Sequence, residues 1–159
     1  MPEAGADISP KEEILTRDEI SRLISIAVGL GTRKIRFTGG EPLVRRDIAE
    51  IIADTRSHST IEDISLTTNG HLLPKLANDL RTAGLNRINI SLDTLKPERF
   101  TAIARGGDLT SVLSGIDSAI ECGFHPVKIN VVALRGHNSD EAVDFAAKTL
   151  HSPWHVRFI

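Results

Sequence analysis

Gly39-Gly40-Glu41-Pro42 follows the short run Lys34-Ile35-Arg36-Phe37-Thr38, and its residue types suit capture of a ligand by main-chain groups. Two glycines in succession allow positive φ and a close approach to backbone amides, while Pro42 lacks an N–H and steers Glu41 away from helical angles. The same four residues also make an ordinary tight turn with a solvated carboxylate, so context must decide between the two. That context is a recurrence of polar residues two apart: Arg36 and Thr38, then Thr67 and Asn69, then Asn89, Ser91 and Asp93, then Lys128 and Asn130. Side chains alternate along a strand, so each group shares one face. Taken alone, Thr68, Asn89 or Asn130 reads as an ordinary strand-end residue. Four runs carrying the pattern together favour one convergent site.

Positioning such groups requires strands that end at the same edge. Thr16-Arg17-Asp18-Glu19 forms a capping box, and Ile20, Leu23, Ile24 and Ala27 follow at helical spacing before Gly29 and Gly31. A strand over 34–38 comes next, then a helix with Asp47 as its N-cap and Ile48, Ile51 and Ile52 on one face, with Arg45 and Arg46 solvated beside it. β-Branched runs predict further strands near 61–67, 87–92, 126–134 and 154–159. Helices fill the gaps: one marked by Leu76, Leu80 and Ala83, and one by Leu109, Val112, Leu113, Ile116 and Ile120. A third lies over 141–147, capped by Ser139, and an extra helical turn falls around 96–103. The alternation predicts a parallel α/β sheet of βα units, in one domain with a loop over 1–15 and repeats over 16–159. Ligands of such sheets and barrels sit at the carboxyl ends of the strands, where these polar residues recur.

Composition narrows the class. The chain has 159 residues, 40% hydrophobic and 25% charged, which is enough for one globular core and argues against disorder. No apolar run reaches the roughly 18 to 20 residues of a spanning helix, and the cytoplasm is the expected compartment. A formal net charge of −2 and a single cysteine, Cys122, argue against a nucleic-acid surface and a disulfide framework. Cys122 is expected to be a buried thiol on the last turn of its helix.

Arg-Phe-Thr-Gly-Gly-Glu-Pro at 36–42, Thr-Thr-Asn-Gly at 67–70, Asn-Ile-Ser-Leu-Asp at 89–93, Val-Lys-Ile-Asn at 127–130 and the final Val-Arg-Phe-Ile together resemble the GTP 3′,8-cyclase family of radical S-adenosylmethionine enzymes. Their order and spacing agree over essentially the whole chain. The resemblance implies a partial (βα) barrel of about five parallel strands and a role in molybdenum cofactor biosynthesis, with S-adenosylmethionine and GTP inside. It assigns S-adenosylmethionine to Gly39, Gly40 and Glu41, chiefly the Gly40 backbone, and to Ser91. It assigns GTP to Arg36, Thr67 and Lys128. Those types suit a triphosphate: Arg offers a planar fork of donors, Lys a mobile charge, and Thr a hydroxyl.

In that family a 4Fe-4S cluster on a Cys-x3-Cys-x2-Cys loop reduces S-adenosylmethionine, and an adenosyl radical then takes hydrogen from the GTP ribose. This sequence has no such loop and no second cysteine set, so it supplies no cluster ligands and no metal site. The family places Met-Pro-Glu-x-Gly directly after its third cysteine, which makes Met1 look like an internal methionine. Two readings stay open: part of a cyclase without activity of its own, or a non-catalytic module that binds GTP and S-adenosylmethionine. Self-association through exposed sheet edges is expected on either.

Overall fold

The structure is a computed structural model and describes residues 14–104 and 107–159. Of the expected loop over 1–15, residues 1–13 lie outside the described residues. Among the described residues six α-helices and five strands follow in order, with two helices in succession between β3 and β4: α1 Arg17–Gly29, β1 Lys34–Phe37, α2 Ile48–Arg56, β2 Asp63–Thr68, α3 Leu73–Thr82, β3 Arg87–Ser91, α4 Pro97–Ala104, α5 Leu109–Glu121, β4 Val127–Val131, α6 Ala142–His151 and β5 Trp154–Phe158. The strands are all parallel, in the order β1-β2-β3-β4-β5. Because each strand lies beside its predecessor, every crossover steps the same way. The helices therefore form one outer layer, with α1 against α2, α2 against α3 and α3 against α5. The parallel sheet of βα units is the one the alternation predicts, and its arc is the partial (βα) barrel that the resemblance implies.

The two faces of the sheet differ sharply. Ile64, Leu66, Ile88, Ile90, Val127 and Ile129 are fully buried and pack into one core with Leu73, Leu80, Val112, Ile116 and Phe145 from the helices. Residues of the other parity, among them Arg36, Thr67, Ser91, Lys128 and Arg157, point to the concave side. Burial of the first face drives folding and leaves the second free for chemistry.

One close approach needs a residue without a side chain. A Cβ on Gly115, in the middle of α5, would sit 2.3 Å from the Gly70 carbonyl oxygen and 3.1 Å from Leu73 Cβ. Backbone cannot swing aside, so Gly115→Ala loses more from overpacking than it gains in helix propensity. We expect a net destabilisation of about 1 to 2 kcal/mol, read as a lower urea midpoint with an unchanged slope.

Local expectations fared unevenly. The Thr16 capping box is present, its hydroxyl accepting from Glu19 N at 3.3 Å and Glu19 accepting from Thr16 N at 2.8 Å. Asp47 stands at the N-cap of α2 but makes no side-chain cap, because Arg45 takes its carboxylate at 2.6 and 3.0 Å. Arg45 is thus held rather than solvated, and it also donates to the Leu15 carbonyl at 2.8 Å. Ser139 does not cap α6. It opens a 3-10 turn, Ser139–Glu141, with Asn138 before it. Cys122 is only half-buried, since it forms the C-cap of α5 where the helix leaves the core. Strand β2 starts at Asp63 and runs to Thr68 rather than spanning 61–67, and β4 is shorter than 126–134, stopping at Val131 before Val132 N donates to Asp93 Oδ1 at 2.8 Å.

Candidate functional site

Register turns the polar face into transverse rows. Nearest the amino ends Lys34 stands beside Asp63, and the next row is Arg36, Ser65, Arg87. Above it runs Thr67, Asn89, Lys128, His155, and above that Ser91, Asn130, Arg157. Neighbouring strands lie about 4.8 Å apart, so adjacent members of a row can touch one ligand group. Of the expected site residues, Thr67 and Lys128 share the middle row. Arg36 is one step below it and Ser91 one step above. Asn89, 7% exposed, fills the gap between Thr67 and Lys128, its amide donating to Leu66 O at 3.3 Å and Thr67 Oγ1 at 3.4 Å.

Charge on this face is mainly positive. Asp63 is neutralised by Arg87 at 2.8 Å and Asp93, one row above Ser91, accepts from Val132 N at 2.8 Å, while Lys34, Arg36, Lys128 and Arg157 supply the excess of cations. Arg36 makes one long contact with Ser65 Oγ at 3.4 Å. Lys128, His155 and Arg157 have no side-chain hydrogen bond or ion pair among the described residues. Cations converging on a concave surface attract anions, the half-buried Lys128 most strongly.

The loop after β1 supplies the main-chain part. Gly39 has φ 153°, a region that favours glycine, and a Cβ on Gly39 or Gly40 would meet nothing within 4 Å. Their backbone faces open space at the carboxyl end of β1. Glu41 is differently employed. Its carboxylate accepts from Leu43 N at 3.0 Å, Thr68 Oγ1 at 2.7 Å and Asn69 N at 2.6 Å, latching the loop to the end of β2. Its side chain therefore holds the loop in shape, while its backbone stays with the glycines.

A second latch, missed in the sequence, repeats this geometry on β3 and β4. Glu141 is fully buried and accepts from Thr94 Oγ1 at 2.7 Å, Leu95 N at 2.6 Å and Arg99. In both latches the threonine hydroxyl also accepts from the amide two residues on, Gly70 N or Lys96 N, each at 3.1 Å. Asn138 completes the rim by donating to Asp93 O at 2.7 Å and Val132 O at 2.8 Å. Burial raises the affinity of Glu141 for a proton, but Leu95 N–H, the Thr94 hydroxyl and Arg99 together outweigh it and lower its pKa. Arg99 and Lys96 hold Asp140 far below the usual carboxylate range. From sequence Glu141 looked like any acid in a helix's first turn. His155 and Arg157 were also missed as site residues, although their spacing of two in the last strand was a usable signal.

The donor set separates the two cofactors that the resemblance implies. Open backbone at Gly39-Gly40 and the exposed Ser91 hydroxyl fit the amino-acid end of S-adenosylmethionine. An iron–sulfur cluster requires several thiolates, and Cys122 is the one cysteine of the chain. It also lies between α5 and β4, at the amino end of the sheet and opposite Gly40 and Ser91. No group of three His, Cys, Asp or Glu among the described residues is placed to hold a metal ion. The residues present do not fit the cluster. A groove of about 380 Å³ lined by Leu43, Arg46, Leu76 and Asp79 lies outside, at α2 and α3, away from the polar rows. No helix among the described residues is long and apolar enough to cross a membrane.

Comparison with known proteins gives the same architecture. Residues 4–148 match the family model "Radical SAM superfamily". The chain is 52% identical over 159 residues to a GTP 3′,8-cyclase of Heliobacterium modesticaldum, covering 100% of this chain and 49% of that protein. It is also 52% identical to a GTP 3′,8-cyclase of Syntrophomonas wolfei, with the same coverage. The chain thus spans about half the length of the curated relatives it matches. Among solved structures, methylornithine synthase superposes with a TM-score of 0.69 at 16% identity, over 91% of this chain and 44% of that one. Coproporphyrinogen III oxidase from Escherichia coli gives 0.66 at 17% identity, over 89% and 36%.

Proposed function

This chain belongs to the radical SAM superfamily, and from that premise we propose that it is the part of a GTP 3′,8-cyclase that holds S-adenosylmethionine and GTP. The reaction would be cyclisation of GTP to (8S)-3′,8-cyclo-7,8-dihydroguanosine 5′-triphosphate, the first step of molybdenum cofactor biosynthesis. One observation carries the reading: the Thr67-Asn89-Lys128 row, one step above Arg36 and one below Ser91, on a face with an excess of cations among the described residues. Identity of about half to named cyclases over every residue supports it.

In this reading Gly39, Gly40 and the Glu41 backbone take the methionyl end of S-adenosylmethionine, and Ser91 hydrogen-bonds the same molecule. Arg36 and Lys128 neutralise phosphate oxygens, and Thr67, steadied by Asn89, donates to the nucleotide. The work of these residues is positioning and charge complementarity. We take residues 16–159 as one partial core domain, in a cytoplasmic setting that suits a single free cysteine. Self-association would follow from the single-neighbour strands β1 and β5 and the exposed Val143 and Leu150 of α6.

Nucleotide-observed NMR with GTP tests the reading. Two cations contribute about 1.5 to 3 kcal/mol each against an association cost of at least ~4 kcal/mol, which corresponds to millimolar affinity that weakens with salt. Absence of a salt-sensitive contact would overturn it. The lone, misplaced Cys122 favours a second reading for this chain by itself, a binding module without redox chemistry. Anaerobic reconstitution with iron and sulfide should accordingly leave no stoichiometric cluster. One cluster's worth of iron and acid-labile sulfide per chain would contradict that.

A further inference from the structure

His155 is the fourth member of the middle row. Its Cα partner is Lys128, and Lys128 is in turn partnered with Asn89 and Asn89 with Thr67. Alternation along β5 sends its apolar residues to α6. The Phe158 ring meets Phe145 edge-on at 6.2 Å between centroids, and Lys148 Nζ lies 6.0 Å from the Trp154 ring. His155 and Arg157, of the opposite parity, stand on the concave side and are exposed.

The charged groups nearest His155 are cations, and Asp93, two rows above it beyond the end of β3, accepts from Val132 N at 2.8 Å. Lys128 stands beside it on β4 and Arg157 one row above on β5, while Arg36 and Lys34 lie farther along the face. Neither β4 nor β5 contains a carboxylate. Asp63 is committed to Arg87 on β2 and β3. The charged groups of α6, Asp144, Lys148 and His151, belong to the layer packed on the other face of the sheet. An anion in this row would therefore meet His155 together with Lys128, and histidine is the side-chain type whose charge changes between pH 5 and 8.

Resting on the GTP reading above, we propose that His155 is a further phosphate-contacting residue of this site and makes polyphosphate binding proton-linked. The imidazolium donates a charge-assisted hydrogen bond that neutral imidazole replaces with a weaker one. Binding then takes up a proton from solvent as the anion engages.

The test compares the parent chain, His155→Gln and Lys128→Glu for binding of GTP and of inorganic triphosphate at pH 5.5 and pH 8. Protonation of the ligand's own terminal phosphate cancels in the ratio of parent to variant. That ratio should be about tenfold at pH 5.5 for His155→Gln and fall close to one at pH 8. Calorimetry in buffers of different ionisation enthalpy should show proton uptake by the parent beyond that of His155→Gln. Matching affinities of parent and His155→Gln at both pH values, with Lys128→Glu still losing binding, would overturn the role of His155 and leave the GTP reading standing. Failure of the parent to bind either ligand would overturn both.

Discussion

On the GTP reading proposed above, Lys128→Glu should abolish the contact with GTP in a nucleotide-observed titration, and Arg36→Glu should do the same. Lys128 has no ion-pair partner among the described residues and stands next but one to Thr67 in the same row. Reversal converts an attraction of about 1.5 to 3 kcal/mol into a repulsion of similar size. For a millimolar complex whose net free energy is only about −4 kcal/mol, that is the whole of the binding. Arg22, exposed on α1 in the outer layer, is the proper control, and Arg22→Glu should leave the titration unchanged. Arg56 would be a poor control. It lies in the last turn of α2, where its guanidinium donates to Gly84 O at 3.1 and 3.2 Å and to Ile61 O at 3.0 Å. Equal binding by parent, Lys128→Glu and Arg36→Glu would mean that the polar rows are not a nucleotide site.

The largest expected loss of stability follows Glu141→Ala. It strips partners from the Thr94 hydroxyl, the Leu95 amide and half-buried Arg99 at one stroke. Breaking a buried ion pair from one side costs about 3 to 5 kcal/mol, which should lower Tm by roughly 10 °C or more in a chain of this size. The sign of the pH effect follows from the direction of the shift. The folded-state pKa of Glu141 is lowered because Leu95, Thr94 and Arg99 outweigh burial. Its contribution is thus complete above the ordinary carboxylate range and disappears as pH falls through the lowered folded value. Urea unfolding between pH 7 and pH 3 should show the parent losing this increment and Glu141→Gln lacking it at neutral pH. Parallel curves for parent and Glu141→Gln would show that the buried carboxylate carries no such linkage.

The elements and their order were open to local reasoning because short-range physics sets them. A capping box at Thr16, β-branched runs bounded by glycines, and helical spacing of Leu109, Val112, Ile116 and Ile120 each report on neighbours a few residues away. Spacing of two likewise put Asn89 with Ser91, and Lys128 with Asn130, on common faces before any fold was known.

Side-chain partners across long stretches of chain were not legible. Nothing local distinguishes Glu41 or Glu141 from a solvated acid. Each is committed to a threonine and an amide on another strand's loop, 27 and 47 residues away at the threonine. The same holds for Arg56, Arg45 and Gly115, whose roles depend on what packing brings against them. Register was the decisive tertiary contribution, because a parity rule within one strand cannot say which residue of the next strand stands beside it. Only the pairing of β4 with β5 set His155 next to Lys128, and only the consecutive strand order brought Thr67, Asn89 and Lys128 into one line.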